Sequence, residues 1–183
     1  PMYNLGVHWI DVLCHLLGDK ITEVCAVNTK VNDAYDIEDN SAAILKFGSG
    51  PVGTLSTSYI VPDCYPCGRE LYLGVKGAKG VLSYAPKYEG EGGSSAAGQV
   101  DILEIYSDSD KLAGACSRKL SFALDKVAGY SGYMGKAYVE GFIDAIINDS
   151  EPSINIGQAI DVLKVVEAIY KSDNEKKWVK VQQ

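Results

Sequence analysis

The feature that most restricts the fold of this chain is the order of its hydrophobic patterns. Between residues 21 and 124 the sequence carries strand-like segments, which are short, rich in β-branched residues and separated by glycine-containing turns. One segment with helical spacing precedes this region and two follow it. Strands and helices grouped in this way form a sheet with its helices on one face. The order therefore predicts an α+β fold, in which an open, mostly antiparallel mixed sheet has helices packed on one face.

The predicted elements have approximate boundaries. Helices are predicted at residues 5–17, 133–148 and 157–172. Strands are predicted at residues 21–30, 40–47, 52–61, 100–106, 117–124 and 176–182, and a hairpin at residues 69–84 has its turn near Gly77 to Lys79. The glycine-rich segment 88–99 is interpreted as a loop rather than a linker. No change of composition marks a second domain, so residues 1–183 are expected to form one.

Composition limits the kind of partner. With 183 residues, 46% hydrophobic and 22% charged, the chain is large and apolar enough for one real core, which excludes disorder. A formal net charge of -7 without a basic cluster argues against nucleic acid and against anionic membranes. No apolar run reaches the roughly 18 residues of a spanning helix, and we expect a cytoplasmic protein with its five cysteines reduced. The start, PMYNLG, leads straight into a helix, as though cut from a longer protein.

The first predicted helix combines apolar anchoring with one polar stripe. Its apolar residues spread around most of the circumference, whereas Asn4, His8, Asp11 and His15 fall within about 60° of one another. An imidazole and a carboxylate one turn apart are suited to moving a proton and binding hydroxyl groups, which favours a polar cavity. The solvent-facing edge of the helix is an equal alternative. A metal site is disfavoured because the chain has no further histidine.

Five segments, in this order, resemble the C-terminal part of the Gfo/Idh/MocA oxidoreductases. The first is GVHWIDVLCHLLGD, which is similar to that family's G-[VI]-H-x-x-D segment. The others are AAILKFGSGPVGTLSTSY, GVKGAKGVLSY, AYVEGFIDAIINDSEPSI and GQAIDVLKVVEAIYKS, so the resemblance spans essentially the whole chain. It implies a C-terminal domain of the glyceraldehyde-3-phosphate-dehydrogenase-like type.

The resemblance also implies a reaction. Members transfer hydride between NAD or NADP and a secondary alcohol carbon, usually of a sugar, cyclitol or related polyol. Their N-terminal Rossmann domain, with its glycine-rich turn, binds most of the cofactor and is absent from this chain, as is a lysine in a Lys-Pro motif. We therefore expect this chain to be the substrate-binding and oligomerisation domain of a dehydrogenase, and to be inactive alone.

The resemblance assigns roles residue by residue. His8 matches the catalytic histidine, which exchanges the proton of the reacting hydroxyl. Asp11 matches a position that binds substrate hydroxyls. Asn4 stands where many members have Asp; it is expected to contact substrate or orient His8, but an amide cannot take up a proton. Tyr65 lies in a region from which members reach the substrate, and it is a further candidate for substrate binding.

The resemblance also bears on how the chain assembles and on which other functions are open. Members commonly pair through the sheet face away from the helices, which implies a homodimer or homotetramer. Val52, Thr54, Ser56 and Ser58 are expected to present small and polar side chains on one face of a strand, and this suits a moderately polar interface. The alternatives to an enzyme domain are a dimerisation module and a ligand-binding domain without chemistry.

Other motifs carry less weight. A single C-x-x-C, Cys64 and Cys67, is a poor zinc or redox signal without a second pair. Tyr130 and Tyr133 are interpreted as packing residues, with a pocket as the alternative. The acidic segment 89–93 would repel a phosphate. No metal site is predicted.

Overall fold

In the residues that the structure describes, the strands form two four-stranded sheets. The computed structural model describes residues 1–60, 71–85, 100–110, 114–123, 127–129 and 132–182. The chain divides into two compact units, Pro1–Ile60 with Glu151–Gln183, and Val61–Ser150. Every strand pair of the described residues is antiparallel. The α+β class with open antiparallel sheets is thus confirmed, while the division into two sheets is not specified by the strand pattern.

Most element boundaries lie close to those predicted, but the last strand, predicted at residues 176–182, covers only two residues because the last helix extends to Glu175. The helices of the described residues are α1 (Val7–Leu17), α2 (Gly132–Ile147) and α3 (Ile156–Glu175), and a π-helical turn (Met2–Gly6) leads directly into α1. The strands are β1 (Ile21–Thr29), β2 (Asn40–Phe47), β3 (Val52–Ser58), β4 (Leu73–Gly77), β5 (Gly80–Tyr84), β6 (Val100–Ser107), β7 (Ser117–Ala123) and β8 (Val179–Lys180).

The first unit has one covered and one open sheet face. Its strand order is β3-β2-β1-β8. In β2, residues 41, 43, 45 and 47 are buried and residues 42, 44 and 46 are exposed, as the two-residue period of a half-covered strand requires. Helix α3 packs on β1, and α1 packs on α3. The core on this covered face contains Ile10 of α1, Leu45 and Phe47 of β2, and Val166 and Ile169 of α3.

Local hydrogen bonds fix where the helices of this unit begin and end. Gly18, with φ of 61°, ends α1, because this left-handed conformation suits a residue without Cβ. Asn155 and Gln158 form a reciprocal capping box at the start of α3. Near its end, buried Ser172 accepts from the amide of Ala26 (3.0 Å) and donates to the carbonyl of Lys177 (2.6 Å). These bonds tie α3 to β1.

The second unit contains the order β4-β5-β6-β7 and helix α2. Gly77 and Gly80 are paired across a two-residue turn, which confirms the predicted hairpin. A side chain at Gly80 would collide with the carbonyl of Tyr106 on the neighbouring strand. These glycines of GVKGAKG therefore serve the turn and the close approach of strands, and they do not precede a helix as a dinucleotide-binding turn does.

Candidate functional site

A π-helical turn carries the first residue of the polar stripe. The amide of Gly6 donates to the carbonyl of Pro1 (3.3 Å), and that of Val7 donates to the carbonyl of Met2, five residues back in each case. Met2 is fully buried, and a Cβ on Gly6 would collide with its sulfur. A larger residue at position 6 would therefore force the buried Met2 side chain to shift. Short π-helical segments are frequent at functional sites.

Asn4 and His8 lie on the exposed side of this helical entry. A turn closed by i→i+5 bonds is wider than an α-helical turn. Residues four apart are thus close to one full turn apart, and Asn4 precedes His8 on the same side. Both residues are exposed, whereas Ile10 on the opposite side is fully buried. The helix is thus anchored by its apolar side and presents these two polar side chains outward.

Asp11 and His15 line a cavity that Asn4 and His8 do not reach. This cavity of about 320 Å³ lies between the second half of α1, the start of β1 and the first half of α3. Its polar lining includes a pair in which Lys20 donates to Asp161 (2.6 Å). The predicted site residues thus divide into an exposed pair, Asn4 and His8, and a half-buried aspartate beside a cleft. That the polar stripe of Asn4, His8 and Asp11 faces one polar cavity stays a prediction.

Two carboxylates of this cleft accept hydrogen bonds that lower their pKa values. The hydrogen bond from Lys20 is the main cause that holds the pKa of Asp161 below its usual value. At a second position of the cleft wall, Asp19 accepts from the amide and hydroxyl of Ser49 (2.8 and 2.6 Å), and these bonds lower the pKa of Asp19. Burial raises the pKa of the Cys14 thiol, which disfavours a reactive thiolate.

Two tyrosines brace the π-helical turn against α3. The rings of Tyr3 and Tyr170 are stacked, with centroids 5.3 Å apart and planes inclined by 20°. Each hydroxyl donates to a carboxylate: Tyr3 to Glu167 and Tyr170 to Glu38. The amide of Met2 donates to the same Oε1 of Glu38 (3.4 Å). This group, Tyr3, Tyr170, Glu38 and Glu167, is called the tyrosine clamp below.

The clamp has defined protonation states at neutral pH. Burial and the hydrogen bond to Glu38 raise the pKa of Tyr170 above its usual range. The pKa of Tyr3 is also raised, chiefly by the bond that it donates to Glu167. At Glu38, burial raises the pKa of the carboxyl group, and the hydrogen bond from Tyr170 lowers it. The tyrosines are therefore donors, and Glu38 is the acceptor of the Tyr170 hydroxyl.

Sequence reasoning missed the clamp. Tyr170 belongs to the apolar face of α3, so its spacing indicates core packing and gives no sign that its hydroxyl has a partner. Glu38 lies 132 positions away in a loop. The available signal was the pair Glu38-Asp39 immediately before a strand, where an acidic pair is unusual unless its carboxylates have partners.

Several predicted residues cannot be assigned a place. Cys64, Tyr65, Cys67, Tyr130 and the acidic segment 89–93 lie outside the described residues. Tyr133 is described and is 42% exposed, so it does not pack in the core. In the part of the chain that the structure describes, no cluster of three or more metal-ligating side chains occurs, and no helix has the length and apolarity to cross a membrane.

Comparisons with known proteins match this architecture to one family. The model of the Gfo/Idh/MocA "Oxidoreductase family, C-terminal alpha/beta domain" matches residues 1–181. The D-apiose dehydrogenase of Paraburkholderia graminis is 25% identical over 179 residues, which are 97% of this chain and 44% of that protein.

Solved structures agree on the fold. A levoglucosan dehydrogenase in complex with NADH has a TM-score of 0.73 at 20% identity, covering 98% of this chain and 49% of that one. An aldose-aldose oxidoreductase from Caulobacter crescentus, complexed with glycerol, has a TM-score of 0.71 at 18% identity, covering 98% and 47%. The chain spans about half the length of each relative. It belongs to the Gfo/Idh/MocA oxidoreductase family, whose C-terminal α/β domain accounts for nearly all of its residues.

Proposed function

We propose that this chain is the substrate-binding and catalytic half of an NAD(P)-dependent oxidoreductase acting on a secondary alcohol of a sugar, cyclitol or related polyol. The observation that carries the proposal is the exposed pair Asn4 and His8 on a helix whose opposite side is buried. Such a helix holds an imidazole at a fixed position with its polar edge free to meet a substrate. Two relatives bear the names of sugar dehydrogenases, and one of these is in complex with NADH.

The described residues of this chain do not fit a dinucleotide. Their glycine-rich segment GVKGAKG is a hairpin, and a phosphate-binding turn must instead connect a strand to a helix. The proposal therefore assigns the cofactor to an N-terminal Rossmann domain of the protein that contains this chain. The nicotinamide held there supplies the hydride acceptor. We expect this chain alone to bind neither NADH nor NADPH, and calorimetry that detects such binding would count against the assignment.

The chain's own residues handle the proton and the hydroxyl groups. His8 accepts the proton of the reacting hydroxyl while hydride leaves the same carbon, so that the alcohol becomes a carbonyl and the proton stays on the imidazole. Asp11 accepts a hydrogen bond from a neighbouring hydroxyl. The Asn4 amide donates and accepts hydrogen bonds, and this suffices to orient the ring or the substrate without taking a proton.

The test uses the complete protein with NAD⁺ or NADP⁺ and a panel of aldoses and polyols. Turnover of at least one is expected, and His8→Ala should lower kcat by about 10² to 10⁴, the usual contribution of a positioned base. His15→Ala is compared with it, because His15 is the other histidine of the chain and is exposed on the same helix; it lines the cavity beside Asp11, so it should leave kcat within about tenfold of the wild-type value even if KM changes. Full turnover by the His8→Ala protein would exclude the catalytic assignment and favour a ligand-binding domain without chemistry.

A dimerisation module is the second candidate, and the open face of the first sheet favours it. Val27, Ile44 and Val52 are exposed there, at 55%, 41% and 67%. They lie among exposed serine and threonine side chains of β3. We propose a homodimer or homotetramer through this face, which is compatible with an enzymatic role.

A further inference from the structure

The π-helical turn needs support from outside the helix. Its i→i+5 bonds are less common and less regular than those of an α-helix. Within the turn, Met2 is fully buried and Gly6 packs on its sulfur, which fixes one side. The other side carries Tyr3 and Asn4. Both residues are exposed, so burial does not hold their side chains in place.

The tyrosine clamp supplies contacts on this second side. Tyr3 stacks on Tyr170 and donates to Glu167, so its ring is held by two residues one turn apart on α3. Tyr3 precedes Asn4 directly in the chain. Movement of the Tyr3 backbone therefore moves Asn4 as well.

Glu38 joins the clamp to the backbone of the turn. Its Oε1 accepts from the Tyr170 hydroxyl and from the Met2 amide, and its side chain is 15% exposed. The amino group of Pro1 lies 2.9 Å from the same atom. The contacts with Tyr170 and Met2 lie inside the chain and do not depend on that amino group. A mostly buried carboxylate that loses a donor turns toward water, since an unpaired charge is costly to bury.

The backbone at Glu38 is itself fixed by its neighbour. Asp39 is fully buried, and its carboxylate accepts from the amides of Val31 (3.0 Å) and Asn32 (2.7 Å). The amide of Asp39 donates to the carbonyl of Thr29 (3.1 Å). The loop before β2 is thus anchored at both ends, so Glu38 is a firm support rather than a mobile loop residue.

We propose that Tyr170 and Glu38 are positioning residues, which hold the π-helical turn so that Asn4 stays on the same side as His8. The inference rests on the proposed function for its effect on catalysis. It extends that function from residues that contact substrate to a pair that acts through Asn4. The requirement is geometric, because displacement of a positioned group by about 1 Å can lower a rate by about 10²-fold.

The experiment compares Tyr170→Phe and Glu38→Gln in the complete protein with Tyr106→Phe. Tyr106 is the matched control, because its hydroxyl donates to Glu104 (3.1 Å) on the second sheet, so the change removes a Tyr–Glu bond that does not touch the turn. Hydrogen exchange of the peptide covering residues 2–8 reports whether the turn loosens. Exchange in β6 and β7 reports whether the fold is intact.

Hydrogen exchange in that peptide is expected to be faster than in the wild-type protein for both Tyr170→Phe and Glu38→Gln. For the control, Tyr106→Phe, the exchange rate in the peptide should be unchanged. It also expects kcat to fall about tenfold, or more, while KM for NAD(P)⁺ is unchanged. In an Asn4→Ala background, Tyr170→Phe should lower kcat little further, because the two changes act on one element. A purely structural role would give additive losses.

Three results would overturn the inference: unchanged exchange in the two variants, faster exchange with unchanged kcat, or additive effects in the double variant. If the wild-type protein turns over no polyol, the proposed function fails. In that case the exchange measurement alone decides whether Tyr170 and Glu38 hold the turn.

Discussion

Tyr3 and Tyr170 stack with ring centroids 5.3 Å apart, although 167 positions separate them in the chain. The contact joins the entry of α1 to the second half of α3. Because Asn4 follows Tyr3, a residue near the end of the chain helps to set the geometry of the candidate catalytic helix. The relationship also makes the stability of this region depend on the protonation of a phenol.

The stability of the chain should reveal this phenol at high pH. Tyr170 has a raised pKa in the folded chain, because burial and Glu38 disfavour its ionised form. Its contribution is therefore fully present below the unfolded pKa of about 10 and is lost as the pH rises above it. We expect Tyr170→Phe to lower the free energy of unfolding by about 1–2 kcal/mol at pH 8. The difference between the two proteins should shrink toward about pH 11.

Urea unfolding at both pH values measures this difference. Tyr106→Phe serves again as the control, because it removes a Tyr–Glu hydrogen bond on the second sheet and leaves the bond between Tyr170 and Glu38 in place. A gap that stays constant or grows from pH 8 to about pH 11 would contradict the assigned protonation state of Tyr170.

Gly6→Ala should destabilise the chain. The added Cβ would collide with the sulfur of Met2, which is fully buried and cannot move into water. Overpacking of this kind costs about 1–3 kcal/mol. Gly141→Ala is a matched helical control, because nothing lies within 4 Å of its added Cβ, and it should stabilise α2 by roughly 0.5–1 kcal/mol. Urea midpoints that move in the same direction for both variants would show that the collision is relieved.

Patterns that repeat locally were predictable from the sequence. The alternation in β2 and the helical spacing in α3 follow from burial of one face, because that face requires apolar residues at regular intervals in the sequence. The ends of helices were also visible, since Gly18 supplies a left-handed conformation that other residues adopt at a cost. These features depend on contacts between neighbours in sequence or on simple burial.

Contacts between residues that are far apart in sequence produce no periodic pattern. The bond between Tyr170 and Glu38 joins two positions whose types also occur in ordinary core and loop roles. The π-helical turn depends on Gly6 fitting against Met2, and spacing counted at 3.6 residues per turn does not reveal it. Spacing also does not reveal the cavity that lies beside Asp11 toward α3, and the grouping of Asp11 with His8 stays a prediction.

Asp11→Ala should act mainly on substrate binding. Asp11 is half-buried on α1, one turn from His8, where a carboxylate can accept from a hydroxyl group of a substrate that contacts His8. Loss of one hydrogen bond to a charged group should raise KM for the polyol about 10- to 100-fold with a smaller change in kcat. Asn4→Asp should be tolerated, since many family members have Asp there. Steady-state kinetics of the complete protein measure KM and kcat for both variants. A loss confined to kcat in Asp11→Ala would instead give Asp11 a role in the chemical step.

The open face of the first sheet should form the contact between subunits. Ile44 is 41% exposed at the centre of this face, between Cys25 on β1 and Thr54 on β3. If a second subunit covers it, Ile44→Glu buries an unpaired carboxylate, which costs about 3–5 kcal/mol and weakens association by more than about 100-fold. Ile156→Glu is the control, because Ile156 is 80% exposed at the start of α3 and does not belong to the sheet. Light scattering should then give an oligomer for the wild-type protein and for Ile156→Glu, and a smaller species for Ile44→Glu. A wild-type protein that stays monomeric at high concentration would exclude the interface, and an unchanged mass for Ile44→Glu would place it on another surface.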